Sequence, residues 1–400
     1  MRSLMMCPRL VLVGLVAILA GCAADKPAKP ASYAFWPPAP DEPRIQFLTA
    51  FQSSTDVEPP KSALDSLIWG KEAVPVLPIN KPYGAKFWND KVYVCDIGNH
   101  CVSVLDLKQR VTRVLGVSGG DRLQVPADIA IGPEGIKYVA DRGRGEIVMF
   151  DANDKPAGTF TRPEWKPAGV ALWNDELAVA DLQGRQIVVI NRFSGQFVRN
   201  VGGPGVRDGQ FATPVGVAYD AQGNLWATDM MRCRVQKFDR QGKYLFGFGA
   251  ISDAVGAFAR PKQMAIDSEG LLYVADSAFQ NVQLFNDKGR CLTFFGAAGS
   301  HPGAMFLPVG VSVYEGDLGI LKESVHPAFE AQRLVVVTNQ MGTNKVALYA
   351  LGRLKSGKSL RDLAGGRVNV TAGLVGGGGT AASRPSKLAP VPSSGRATTP

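Results

Sequence analysis

Apolar and polar residues alternate with period two in short runs through the centre of the chain, and the runs recur in a fixed order. In one unit Pro214-Val215-Gly216-Val217-Ala218 leads, Gly223-Asn224 turns the chain, and Leu225-Trp226-Ala227-Thr228-Asp229 alternates again. Arg234-Val235-Gln236-Lys237-Phe238-Asp239 follows, then a turn at Gln241-Gly242 and a last run from Tyr244 to Gly247. Successive strand side chains point to opposite faces, so alternation broken by Gly, Asn and Asp turns predicts antiparallel hairpins. Four short strands per unit predict one blade of a propeller. A helical solenoid needs apolar positions three and four apart, and none recur here.

The unit repeats. A proline opens it at Pro82, Pro126, Pro167, Pro214, Pro261 and Pro308, with steps of 44, 41, 47, 47 and 47 residues. That period belongs to propellers or solenoids. The predicted fold is therefore all-β: a six-bladed β-propeller of four-stranded antiparallel blades over residues 44–352. The last unit lacks a strand after Val346 to Leu351, while Arg44 to Phe51 alternates like a strand ahead of the first proline. The N-terminal strand is expected to complete the last blade, which removes two open sheet edges.

Runs such as Tyr93-Val94-Cys95-Asp96-Ile97-Gly98-Asn99-His100-Cys101-Val102 and Tyr273-Val274-Ala275-Asp276 resemble the NHL repeat, in which the second strand ends in an aspartate before a polar turn. The loops Gly202-Gly203-Pro204-Gly205 to Phe211 and Gly296 to Phe306 fit the same pattern. The resemblance covers residues 82 to 351. It departs in the third unit, where Leu177-Ala178-Val179-Ala180-Asp181 lacks the aromatic, in the sixth, where Asn339 replaces the aspartate, and at an insertion from Glu315 to Arg333. The family implies a ring of blades and no particular ligand, since one fold serves many functions.

The ends differ from the centre. Residues 1–21 carry Arg2, Arg9 and an apolar run from Leu10 to Leu19, an export signal too short to span a bilayer well. Leu19-Ala20-Gly21-Cys22 resembles the lipobox of bacterial lipoproteins, which implies that Cys22 is acylated and tethers the chain to a membrane. Ala23 in place of an aspartate favours the outer membrane. Residues 22–43 are expected to form a tether. Residues 353–400 are rich in Gly, Ser and Pro and are expected to be a disordered basic tail. The formal net charge of +9 lies in the signal and this tail, which leaves residues 22 to 352 neutral. Nucleic acid is therefore not an expected partner. The tail is either a solvated segment or a contact for an anionic surface.

Candidate chemistry is sparse. Asp96, Asp141, Asp181, Asp229 and Asp276 hold one repeat position, and a ligand needs one site whereas every blade needs a turn. They are expected to accept backbone N–H groups of the turn that follows. His100, His301 and His326 lie in separate regions, so no metal site and no cofactor is predicted. Cys95 and Cys101 flank one hairpin turn and are candidates for a disulfide, against two free core thiols. At the channel mouth Tyr83, Asp128, Lys262 and Gln263 stand out among small residues, and Asp128 is expected to face Lys262 across a six-fold ring. The leading expectation is a lipid-anchored envelope scaffold or binding module that docks a protein or glycan through a propeller face, aided by the insertion. The alternative is a metal-dependent hydrolase or lyase with a site in the channel.

Overall fold

The computed structural model describes residues 33–59 and 76–363. They form five four-stranded antiparallel sheets and one five-stranded sheet, arranged as the six blades of a propeller. Each blade starts at its proline: Pro82–Trp88, Pro126–Ile131, Pro167–Trp173, Pro214–Tyr219, Pro261–Ile266 and Pro308–Tyr314 are the first, innermost strands. Proline lacks the N–H that a ladder needs, so it sits at the start of a strand on the open edge facing the channel. Blade one continues through Lys91–Asp96 and Cys101–Asp106 to Val111–Leu115 at the rim.

Packing between blades supplies the core. Tyr93, Val102 and Val104 of blade one meet Ile129, Val139 and Val148 of blade two, all fully buried. The same faces meet at the next junction, where Tyr138 and Ile147 pack on Val170 and Val179. Each such aliphatic side chain contributes about 1.5–3 kcal/mol on burial. The second and third strands bury both faces, which explains why they read as nearly continuous apolar runs.

The N-terminal strand closes the ring. Ile45–Phe51 is the fourth strand of blade six, with Ile45 opposite Leu351 and Phe51 opposite Val346. Leu48 and Phe51 are buried beside Val346 and Leu348, and Phe47 stands edge-on to Tyr349 at 5.6 Å. A fifth strand, Phe35–Trp36, adds outside it, and Trp36 packs on Phe295 and Tyr349. The stretch expected as a tether is thus packed from Tyr33 onward. At the other end Val346–Leu354 and the short helix Leu360–Leu363, with Leu363 buried, belong to the fold although they reach into the expected tail. The signal segment, Cys22 and residues 364–400 lie outside the described residues.

The insertion from Glu315 to Arg333 is a packed element. Leu318 and Leu321 join the core with Phe329 and Leu363. Gln46 of the closing strand accepts from the His326 N–H at 2.9 Å and donates to the Ser324 carbonyl at 2.8 Å. Its neck is held by Arg333, whose Nε lies 3.1 Å from both Glu315 and Asp267.

The disulfide considered for Cys95 and Cys101 is not formed. Both cysteines are free and buried. The register explains it: Cys95 pairs with Val102 and Cys101 with Asp96, so the two thiols point to opposite faces of the hairpin. Burial pushes the Cys101 thiol up to about 11 and raises that of Cys95 as well, which keeps both protonated and unreactive.

A chain begun at Pro82 loses the closing strand and leaves Val346–Leu354 as an open edge over exposed core. It is expected to melt at a lower temperature and less cooperatively than the chain begun at Cys22. Differential scanning calorimetry checks this, and superimposable transitions would show that closure carries no stability.

Candidate functional site

The loop that leads into each first strand and the turn after each second strand lie on one face of the ring, because antiparallel neighbours end where the other begins. The recurring aspartate joins them. Asp96, fully buried, accepts from Gly98 and Asn99 of its own turn at 2.9 and 3.2 Å, and from Asn80 and Lys81 of the incoming loop at 2.7 and 2.8 Å. Asp276 does the same with Ala278 and Phe279 at 2.9 and 3.1 Å, and with Ala259 and Arg260 at 2.8 and 3.0 Å. Asp141, Asp181 and Asp229 repeat the arrangement. In blade six the Asn339 carbonyl takes only the Phe306 N–H, at 3.1 Å, while its amide donates to Asn344 O at 2.7 Å. The acids are therefore clamps between two segments as well as turn residues.

These clamps fix the residues immediately before each proline, and three of those are cations. Lys81, Lys166 and Arg260 donate their backbone N–H to the clamp at 2.8, 3.1 and 3.0 Å, and their side chains are exposed around the channel on blades one, three and five. Arg142, in the turn of blade two, lies over the Tyr83 ring at 5.9 Å. Lys262 places its Nζ 3.1 Å from the Met230 sulfur. Burial holds the Lys262 ammonium below the usual lysine value, and Arg260 and Arg142 push it the same way. Lys345 is lowered too, by burial and by Lys81, with Asp96 opposing. None of these six cations makes an ion pair among the described residues, so the mouth is a ring of like charges without salt-bridged partners.

Of the mouth candidates, Lys262 and Tyr83 border this region, Tyr83 as a buried ring beneath Arg142. Asp128 and Gln263 lie one repeat position deeper and are buried as well. The third residue of each repeat is Gly84, Asp128, Gly169, Gly216, Gln263 and Gly310 in blades one to six. A Cβ at Gly169 would meet the Val215 carbonyl at 2.5 Å, and one at Gly216 would meet Thr228 Oγ1 at 2.7 Å, so these strands approach as closely as glycine allows. Blades two and five fill the space left: Gln263 crosses the channel to donate to Ala127 O at 3.3 Å, and Asp128 accepts from Ile129 and Val170 at 2.9 and 3.0 Å. The group facing blade two across the ring is therefore Gln263 and not Lys262, because Lys262, one residue earlier, points to the loop face. The channel is shut at this layer.

The rim cations Lys81, Lys166 and Arg260 stand immediately before opening prolines, and Arg142 stands in the turn after a second strand; the residues after the prolines do not announce them. Among the described residues no three His, Cys, Asp or Glu side chains form a cluster able to hold a metal ion, and no helix is long and apolar enough to cross a membrane.

No protein family matches the chain. Among solved structures, a protein of unknown function from Bacteroides thetaiotaomicron is similar with a TM-score of 0.53 at 14% identity, over 77% of this chain and 75% of that one. A streptogramin B lyase gives a TM-score of 0.48 at 14% identity, over 69% and 84% of the two chains. Virginiamycin B lyase from Staphylococcus aureus gives 0.47 at 12%, over 68% and 95%. At these identities the likeness is one of fold.

The buried layer has a pH signature. Burial pushes the Asp128 carboxyl up to about 6, against the Lys86 ammonium and the backbone donors that pull it down. The unfolded value is 3.8, so between the two the folded chain holds a proton that the unfolded chain has released. This contribution to stability is complete below the unfolded value and is lost as pH rises through about 6. Thermal melts of the wild type and Asp128→Asn are expected to diverge as pH falls from about 7 to about 4.5, the wild type gaining on the order of 2 kcal/mol over the variant. Parallel curves, or a gain by the variant, would contradict the assignment.

Proposed function

We propose that this protein is a lipid-anchored binding module of a bacterial cell envelope, built from NHL-type repeats, whose loop face docks an anionic segment of a protein or glycan. The observation that carries this reading is the ring of unpaired cations at the channel mouth. Like charges gathered on one surface without salt-bridged partners repel one another, and a partner supplying carboxylates or other anionic groups relieves that repulsion on binding. Apolar side chains on neighbouring loops of the same face support it: Val206, Met231, Ile251 and Val255 are 66, 68, 79 and 78% exposed. Exposed apolar groups bordered by cations are what an acidic amphipathic surface fits.

The lipobox-like Leu19-Ala20-Gly21-Cys22 supports the anchor, and acyl chains on Cys22 each add about 0.8 kcal/mol per buried CH₂. The outer membrane is the proposed location, on the strength of Ala23.

Crosslinking from envelope membranes tests the docking face. The wild type is expected to capture a discrete partner, the double variant Arg142→Ser, Arg260→Ser to lose most of it, and salt near 0.5 M to have a similar effect, since screening at that strength acts within a few ångströms. An unchanged partner profile for a variant with an unchanged melting temperature would overturn the reading.

A further inference from the structure

The far half of the channel is built differently from the mouth. Two residues beyond the layer closed by Asp128 and Gln263, the repeat position holds Ala130, Ala171, Ala218 and Ala265 in blades two to five and Ser312 in blade six. In blade one it holds Lys86. The registers agree that these positions are equivalent, since Lys86, Ala130 and Ala265 each lie opposite the tyrosine of their second strand, Tyr93, Tyr138 and Tyr273. Short side chains at five of six places leave a cavity of about 290 Å³, to whose wall the first strands of all six blades contribute. That volume is near the lower end of ligand pockets and equals on the order of ten water volumes.

Lys86 is the only charged side chain on this wall, among apolar and aromatic neighbours such as Ile131, Val217, Tyr219, Met264 and Tyr314. Its ammonium makes no hydrogen bond and no ion pair among the described residues. Asp128 attracts it from a distance without a hydrogen bond, its oxygens accepting from Ile129 and Val170. Burial also holds the Lys86 ammonium below the usual lysine value.

The chain contains its own example of a lysine buried for structure. Lys137 is completely enclosed, donates to Asp151 O and Ala152 O at 2.8 and 3.2 Å, pairs with Asp154 at 2.6 Å, and lies over the rings of Trp88 and Tyr93 at 5.5 and 5.2 Å. Every donor direction of that ammonium is used. Lys86 has none of these partners. Lys86 is partly buried at the cavity wall, its ammonium has no protein acceptor there, and alanine serves at the same place in four other blades. A lone charged side chain that breaks its repeat's pattern at the wall of a cavity marks a candidate ligand site.

We propose that this cavity binds a small organic carboxylate, whose carboxylate group pairs with the Lys86 ammonium and whose body lies against the alanine-lined wall. The first strands are the inner edges of their sheets, so backbone N–H and C=O groups facing the channel are available to further polar atoms of the ligand. Asp128, above Lys86, repels a second negative charge and so favours ligands with one carboxylate over those with two. This site is independent of the loop face, from which the Asp128 and Gln263 layer separates it.

Isothermal titration of the full chain in detergent at pH 7 tests the site, with acetate, butyrate, benzoate, succinate and inorganic phosphate as probes. Saturable binding of butyrate or benzoate is expected, with succinate at least several-fold weaker, and Lys86→Ala is expected to weaken binding at least tenfold. Lys86→Ala places in blade one the residue that blades two to five carry, so it is expected to fold, with a melting temperature only a few degrees below the wild type from the lost attraction to Asp128. Three results would overturn the proposal: no carboxylate binding to the wild type, equal binding to Lys86→Ala, or binding of phosphate alone. A melting temperature lowered by many degrees in Lys86→Ala, without any ligand effect, would assign Lys86 to neutralising Asp128 and equally overturn it.

Discussion

A buried carboxylate that accepts backbone N–H groups from two separate segments is the interaction on which this propeller depends. Each of the five aspartates ends a second strand and ties the turn that follows it to the loop that precedes the first strand of the same blade. Burying a carboxylate is costly, and up to four charge-assisted hydrogen bonds offset that cost while leaving the loop no freedom. The same bonds hold the backbone of Lys81, Lys166 and Arg260, so one residue type sets both the blade geometry and the position of the basic rim. Blade six keeps only part of the device in Asn339. It recovers order through Lys345, which bonds Asn80 O and Gln340 O at 2.8 Å each, and through the closing strand.

Below the clamps the channel is organised in layers by repeat position. Four glycines at the third position draw the first strands together, and Asp128 and Gln263, from opposite blades, fill what remains. Two positions further on, alanines widen the channel again around Lys86. The consequence is a molecule with two separate features: a basic loop surface, where the proposed anionic partner docks, and a small cavity around Lys86, where the proposed carboxylate binds. The neutral net charge of residues 22 to 352 conceals this division, because the clamp acids beneath the loops balance the cations upon them.

Much of the architecture was legible in the sequence because it rests on local rules repeated six times. Proline at the open inner edge, period-two alternation and Asp-led turns gave the blade, and the unpaired run at Arg44 to Phe51 gave the closure. What was not legible depends on register or on contacts distant in sequence. Cys95 and Cys101 are close along the hairpin, yet a one-residue offset puts them on opposite faces. Tyr33 and Phe35 pack on His326 and Phe329, and Trp36 on Phe295 and Tyr349, surfaces that nothing local announces. At the mouth, Asp128 and Lys262 break the repeat's pattern, but the residue crossing the ring is the neighbour, Gln263.

Native-state hydrogen exchange of individual loop amides tests the clamp most directly. The amides of Lys81, Val125, Lys166, Thr213 and Arg260, each bonded to a buried aspartate, are expected to exchange at least a hundredfold more slowly than unclamped amides of the same loops, such as those of Gly203 and Ser252. Uniformly fast exchange across these loops, in a chain whose strands remain protected, would contradict the claim that the aspartates hold the loop face in place.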